Sequence, residues 1–195
     1  MAAAMMVVCT LAGCATPGTG PMPGASPARG RIVRTAGCAT VTSPPAMTVA
    51  GTPQPANQEY LDGVAGRVQP YARAHFTSVY SGLELRSEQN RLRVYRKPSA
   101  GFDAWVLRDF KSECIEVVDA LHSERELTAF AGRISGDFEY WRKKGVPVNY
   151  VSPAGDGSAV EVGTTDIERT KREFALRYGT AVPLKVVYGQ PMKPL

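Results

Sequence analysis

Residues Gly82–Lys97 read GLELRSEQNRLRVYRK, and this stretch decides the fold. Leu83 and Leu85 alternate with Glu84 and Arg86, a polar SEQN turn follows, and Leu92 and Val94 alternate with Arg91, Arg93 and Tyr95. Alternation on both sides of a turn predicts a β-hairpin with one apolar face. A lone hairpin is marginal in water, so Leu83, Leu85, Leu92 and Val94 need helices against them.

The flanking sequence supplies those helices. Tyr60, Leu61, Val64, Val68, Tyr71, Ala72, His75, Phe76 and Val79 recur at helical spacing, interrupted by Gly63, Gly66 and Pro70, with Pro70 expected to kink or divide the helix. After the hairpin, Phe102, Trp105, Val106, Asp109 and Phe110 predict a short helix, and Ile115–Val118 a buried strand. Ser123 with Glu126 forms a capping box for a helix carrying Leu127, Phe130, Ala131, Ile134, Phe138 and Trp141, closed by Lys143, Lys144 and Gly145. Val146, Val148 and Tyr150 begin a strand that Pro147 assigns to an edge or to its very start. A PAGDG turn returns the chain through Val160 and Val162. A second capping box, Thr165 with Glu168, opens a helix through Phe174 and Tyr178 that stops at Gly179, and Leu184–Tyr188 is the last strand.

Element order from residue 60 is thus α-β-β-α-β, twice. Val64-Ala65-Gly66-Arg67-Val68 returns as Phe130-Ala131-Gly132-Arg133-Ile134, 66 residues later. The expected fold is α+β, with tandem αββαβ units at 60–119 and 120–190. Taking Ile115–Val118 as its first strand, the second unit completes a ferredoxin-like βαββαβ sheet covered by helices. The first unit has no evident strand before its helix, and either borrows one or adds its hairpin to the other sheet.

The chain has 195 residues, enough for one ordinary domain plus a tail. All 18 acidic residues lie in 59–195 together with 20 of the 23 basic ones, so that region is net +2, and Arg29, Arg31 and Arg34 make the tail +3. Such diffuse positivity does not argue for nucleic acid. Residues 15–58 hold eight prolines and no acid, with few large apolar side chains, and are expected to be a disordered tether, with a short extended piece at Arg31–Arg34 and Val41. The folded domain is expected at 59–195.

Met5–Leu11 is apolar apart from Thr10 and leads into Leu11-Ala12-Gly13-Cys14. This resembles the lipobox of bacterial lipoproteins, which implies a signal segment at 1–14, a lipid-bearing Cys14, and attachment to the outer face of the bacterial cell membrane, or a secreted form. With Cys9 removed and Cys14 acylated, Cys38 and Cys114 are either a disulfide or free thiols, Cys114 buried at a strand edge. The Ala/Gly/Pro-rich tail and Tyr80–Val106 resemble small secreted proteins and lipoproteins of high-GC actinobacteria. More distantly, 60–190 resembles propeptide regions of secreted trypsin-like proteases, which implies inhibitor or chaperone activity toward a protease.

Catalytic motifs are absent: no GxSxG, HExxH, phosphate-binding glycine loop or EF-hand loop occurs. His75 on the helical stripe reads as a packed or edge histidine, and His122 is isolated. Gly155-Asp156-Gly157-Ser158 reads as a hairpin connection, and Glu113, Glu116 and Asp119 as solvated acids beside the Ile115 strand. No cofactor or metal is expected. Arg86, Arg91, Arg93, Tyr95, Arg96 and Lys97 make a basic face on the hairpin, either guarding an edge or binding an envelope protein or anionic cell-wall polymer. The expected function is a lipid-tethered envelope interaction module without catalysis. A small enzyme with a pocket between the two units is the rival.

Overall fold

The β-strand Tyr80–Arg86 (β4) and its partner Arg91–Arg96 (β5) form the expected antiparallel hairpin, turning through Ser87–Gln89 and a left-handed Asn90. The structure, a computed structural model, describes residues 31–180 and 182–191. The signal segment 1–14 with Cys9 and Cys14, and the part of the tether at 15–30, lie outside the described residues. From residue 31 onward the tether expectation gives way to regular backbone: strand Ile32–Arg34 (β1), then Ala46–Val49 (β2) and Thr52–Pro55 (β3), which pair with each other.

Helix Gln58–His75 (α1) precedes the hairpin and runs unbroken through Pro70. Its buried stripe is Leu61, Val64, Val68 and Ala72, while Gly63, Gly66 and Pro70 face solvent, so packing along one face overrides their poor propensity. Tyr60, Tyr71 and His75 fall outside the stripe and are exposed. Helix Ala100–Asp109 (α2), capped by Ser99, then crosses over to strand Ile115–Asp119 (β6), which lies parallel to β5. The sheet order is β1-β6-β5-β4. Leu92, Val94, Ile115 and Val117 meet α1 and α2 on one face, with Phe102, Trp105 and Phe110 filling the core and Leu83 and Leu85 half-buried at its side.

The second half has helices Glu124–Gly136 (α3) and Phe138–Lys144 (α4), strands Val148–Pro153 (β7) and Val160–Thr164 (β8), helix Ile167–Tyr178 (α5) and strand Leu184–Tyr188 (β9). Ser123 and Glu126 form the capping box. The single helix expected through Trp141 breaks at Asp137, and Gly145 ends α4 in the left-handed conformation. The second cap sits one residue later than expected: Asp166, not Thr165, accepts from Arg169 N. A separate core gathers Leu127, Ile134, Trp141, Val160, Val162 and Phe174.

The order β7-β8-β9 repeats the connectivity of β4-β5-β6, an antiparallel hairpin followed by a parallel crossover strand. Even the irregularity matches: the ladder shifts between Tyr80 and Gly82 in one sheet and between Val148 and Tyr150 in the other. The expected βαββαβ sheet across 115–188 is not formed, because β6 takes β5 and β1 as neighbours and leaves β7–β9 a three-stranded sheet. The crossover through α2 delivers β6 directly beside β5, and with β1 on its other side both its edges are used. The missing strand of the first half is β1, supplied from the segment expected as tether.

At the junction of the halves, Ser81 Oγ donates to His122 O (2.6 Å), and His122 N donates to Gly157 O (3.1 Å). Among the described residues no helix is long and apolar enough to cross a membrane.

Candidate functional site: the open face of the first sheet

The side of the first sheet away from α1 and α2 carries the alternate residues of four strands. Register places Arg34, Glu116, Arg93 and Glu84 in one row across β1, β6, β5 and β4, with signs alternating. Glu116 is the centre of this face. Its carboxylate accepts from Arg34 Nε (3.1 Å), from Arg91 Nη1 (2.7 Å), and from Arg93 Nη2 (2.8 Å) and Nε (3.3 Å). Those three guanidinium groups cover it so fully that Glu116 is 1% exposed. Burial alone would push its carboxyl up, but the hydrogen bonds from Arg93, Arg34 and Arg91 outweigh burial and hold it down to about 2. The expectation of a solvated acid is therefore corrected: Glu116 is buried and ionised beneath a cover of arginines.

Glu84 is the second acceptor on this face, taking the Tyr95 hydroxyl at 2.9 Å and Arg86 Nη2 at 3.1 Å. Burial and the hydrogen bond to Glu84 push the Tyr95 phenol up, so it stays protonated and donates. Four guanidinium groups thus face two carboxylates. Each guanidinium spends only part of its N–H donors on these carboxylates, and the cations outnumber the acids they pair with.

Two residues expected on this surface are placed elsewhere. Arg96 turns inward, 1% exposed, and grips Asp103 in the first turn of α2 through Nε (2.8 Å) and Nη2 (2.9 Å) while pairing with Asp119 through Nη1. Alternation along β5 puts Arg96 on the side of Leu92 and Val94, and Asp103 and Asp119 make that side habitable for a charge. Lys97 lies past the strand and pairs with Glu126 at 2.7 Å, tying the hairpin to α3. Glu113, also expected to be solvated, pairs with Arg67 at 2.7 Å. Sequence reasoning missed Arg34 and the central role of Glu116. The signal that could have found them is parity: Glu116 alternates with Ile115 and Val117, so it shares a face with Arg93 once β6 is set beside β5.

Cys38 and Cys114 are joined in a disulfide that fastens the segment after β1 to the start of β6. Beside it Thr35 is buried, its hydroxyl donating to Glu113 O (2.5 Å) and accepting from Ile115 N (2.9 Å). Of the packed and edge positions expected for His75, the structure gives an exposed one, with the ring tilted 35° against Tyr71 and the centroids 4.1 Å apart. His122 contributes its main chain to the junction. Asp156 Oδ1 accepts from Ser158 N (3.0 Å) and Oγ (2.6 Å), an Asx turn closing the second hairpin. Among the described residues no cluster of His, Cys, Asp and Glu is arranged to hold a metal ion.

No protein-family model, curated protein or solved structure matches the chain.

Proposed function

We propose that this chain is an extracytoplasmic, lipid-tethered interaction module, without catalysis, that docks carboxylate or phosphate groups of an acidic envelope partner on the open face of its first sheet. The observation that carries the reading is the cluster around Glu116, where an uncovered sheet face presents Arg34, Arg86, Arg91 and Arg93 against two carboxylates. Glu116 prepays the cost of crowding these cations and fixes their forks, so an incoming anion meets donors already oriented. The Cys38–Cys114 disulfide supports export, since such bonds persist in oxidising compartments. That agrees with lipidation at Cys14 and an address on the outer face of the membrane. The two halves, with their common connectivity and matching ladder shifts, are read as tandem copies of one αββαβ unit.

Calorimetric titration with polyglutamate and with poly(glycerol phosphate) tests this. The double variant Arg34→Gln/Arg86→Gln removes outward charge while leaving Arg91 and Arg93 on Glu116. It is expected to weaken binding about tenfold, with a shallower salt dependence. Equal binding by variant and wild type, or no binding to either polymer at low salt, would refute the reading.

A further inference from the structure

Among the described residues the β2–β3 hairpin pairs only with itself, as a separate two-stranded sheet, and every residue of β2 is exposed, Met47 at 47% and Val49 at 43%. Its root is held where Asn90 Nδ2 donates to Thr42 O (3.3 Å) and Asn57 Nδ2 donates to Ser87 O (3.0 Å) and Asn90 Oδ1 (2.8 Å). The tip is a two-residue turn, Ala50 (φ 49°) and Gly51 (φ 82°), both left-handed as tight hairpins require. A hairpin of this kind is marginal alone, and three or more strands are needed for a sheet to stand in water.

The two edges of the hairpin differ. Ala56 N donates to Pro45 O at 3.0 Å, so Pro45 and Ala56 face each other as a hydrogen-bonded pair. Antiparallel pairs alternate, which makes Met47 with Gln54 and Val49 with Thr52 hydrogen-bonded as well. Ala46 with Pro55 and Thr48 with Pro53 are then the pairs whose backbone groups point outward. On the β3 side those outward positions are both proline, so that edge offers no N–H donor. On the β2 side they are Ala46 and Thr48, each presenting an N–H and a C=O. The hairpin is therefore closed to strand addition along β3 and open along β2. The hairpin's own segment puts no charge on the open edge: from Thr35 to Gln58 the chain contains no Asp, Glu, Lys, Arg or His.

We propose that β2 pairs antiparallel with β2 of a second copy of this chain, forming a four-stranded β3-β2-β2-β3 sheet about a two-fold axis. The β2 strand carries no charge of its own, Glu88 sharing a cleft with Ala46, Pro53 and Pro55 on one face of the hairpin, so the edge selects for an uncharged strand, which β2 itself is. Self-pairing across a two-fold axis satisfies both copies at once, and the two β2 strands bring no charge against each other. The prolines of β3 then lie on both outer edges and stop further growth. Met47 and Val49 gain neighbours on a four-stranded surface.

The test is sedimentation equilibrium of the full chain over a concentration series, carrying Cys9→Ser and Cys14→Ser so that no free thiol cross-links copies. The expected mass is twice the 21.0 kDa of one chain. Thr48→Pro removes an outward donor while leaving the hairpin's own bonds intact, and should reduce the mass to that of a single chain. Pro53→Thr/Pro55→Thr restores donors to the second edge and should produce species larger than a dimer. Arg34→Gln/Arg86→Gln should leave the dimer mass unchanged, which separates this proposal from the anion-docking reading. A monomeric wild type throughout the series overturns the proposal, whatever other strand it binds. So does a dimer that survives Thr48→Pro, or a Pro53→Thr/Pro55→Thr variant no larger than wild type.

Discussion

Replacing Glu116 by Gln keeps the shape of the side chain and an acceptor oxygen but leaves Arg34, Arg91 and Arg93 crowded without their counter-charge. The size of the effect follows from the carboxyl's displacement. Its pKa falls from the ordinary 4.5 to about 2, and at about 1.4 kcal/mol per pH unit the ionised form is favoured by about 3 kcal/mol in the folded state. The sign follows by linkage. Because the folded pKa is depressed, this stability is fully present above about pH 4.5 and is lost as pH falls toward about 2, where the folded form takes up the proton. Urea unfolding of wild type and Glu116→Gln at a series of pH values measures it. At pH 7 the variant's midpoint should be lower by about 1 M or more, given slopes of roughly 1–3 kcal/mol/M. The difference between the two proteins should shrink steadily between about pH 4.5 and 2. Asp119 and Glu113 also have lowered pKa values and tilt both curves, which is why the difference, not either curve, is the readout. A difference that stays constant down to pH 2, or none at pH 7, would refute the account of Glu116 as the electrostatic centre of the face.

Reducing the Cys38–Cys114 bond opens a loop of sequence separation 76 and should cost about 4 kcal/mol, read as a lower thermal midpoint in dithiothreitol; an unchanged midpoint would contradict it. Gly157→Ala forces a side chain at φ +70° to within 2.7 Å of both His122 O and the Ser81 side chain. It should destabilise by about 1–3 kcal/mol and speed hydrogen exchange at His122 N. Arg96→Met leaves Asp103 and Asp119 without their cation and should cost about 3 kcal/mol or more in urea unfolding, part of which Asp103→Asn recovers. A loss below about 1 kcal/mol would mean that the buried arginine contributes packing alone.

What the sequence made legible was local. The alternation around Leu92 and Val94, the stripe from Leu61 to Ala72 and the Ser123/Glu126 box each depend on neighbours a few residues away, and each element formed where those patterns place it. What it concealed was non-local. The Ile32–Arg34 strand falls on the short extended piece expected at Arg31–Arg34, but its partner Glu116–Val118 lies more than 80 residues along the chain, and the disulfide nearby fixes a meeting that no local pattern announces. The candidate face was visible as a run of arginines, but its organisation depended on which strand lies next to β5. Arg96 shows a different failure, because two rules conflicted: charge argued for solvent and period-two alternation argued for the core. Alternation prevailed because a strand cannot turn one side chain over without a bulge, and the acids came to the arginine instead.

The two halves make the same junction with different chemistry. Arg96 ends β5 and Thr164 ends β8, and each is followed in the ladder by the same contact, Ala120 N to Arg96 O (2.8 Å) and Gly189 N to Thr164 O (2.9 Å). Each also reaches into the first turn of the crossover helix: Arg96 to Asp103, four residues past the cap Ser99, and Thr164 to Thr170, four past the cap Asp166, at 2.9 Å. The difference follows exposure. The first junction borders a cleft of about 500 Å³ lined by Arg31, Ser99 and Leu107, where Asp103 and Asp119 keep some water and ionised groups can be held. At the second, Thr164 and Thr170 are both 0% exposed, and a pair of hydroxyls satisfies each other at far lower desolvation cost than an ion pair would. Geometry kept in common while chemistry tracks the local access of water is what divergence of two copies of one unit would produce. What the two junctions share is the link from strand end to helix start, not the charge that fills it.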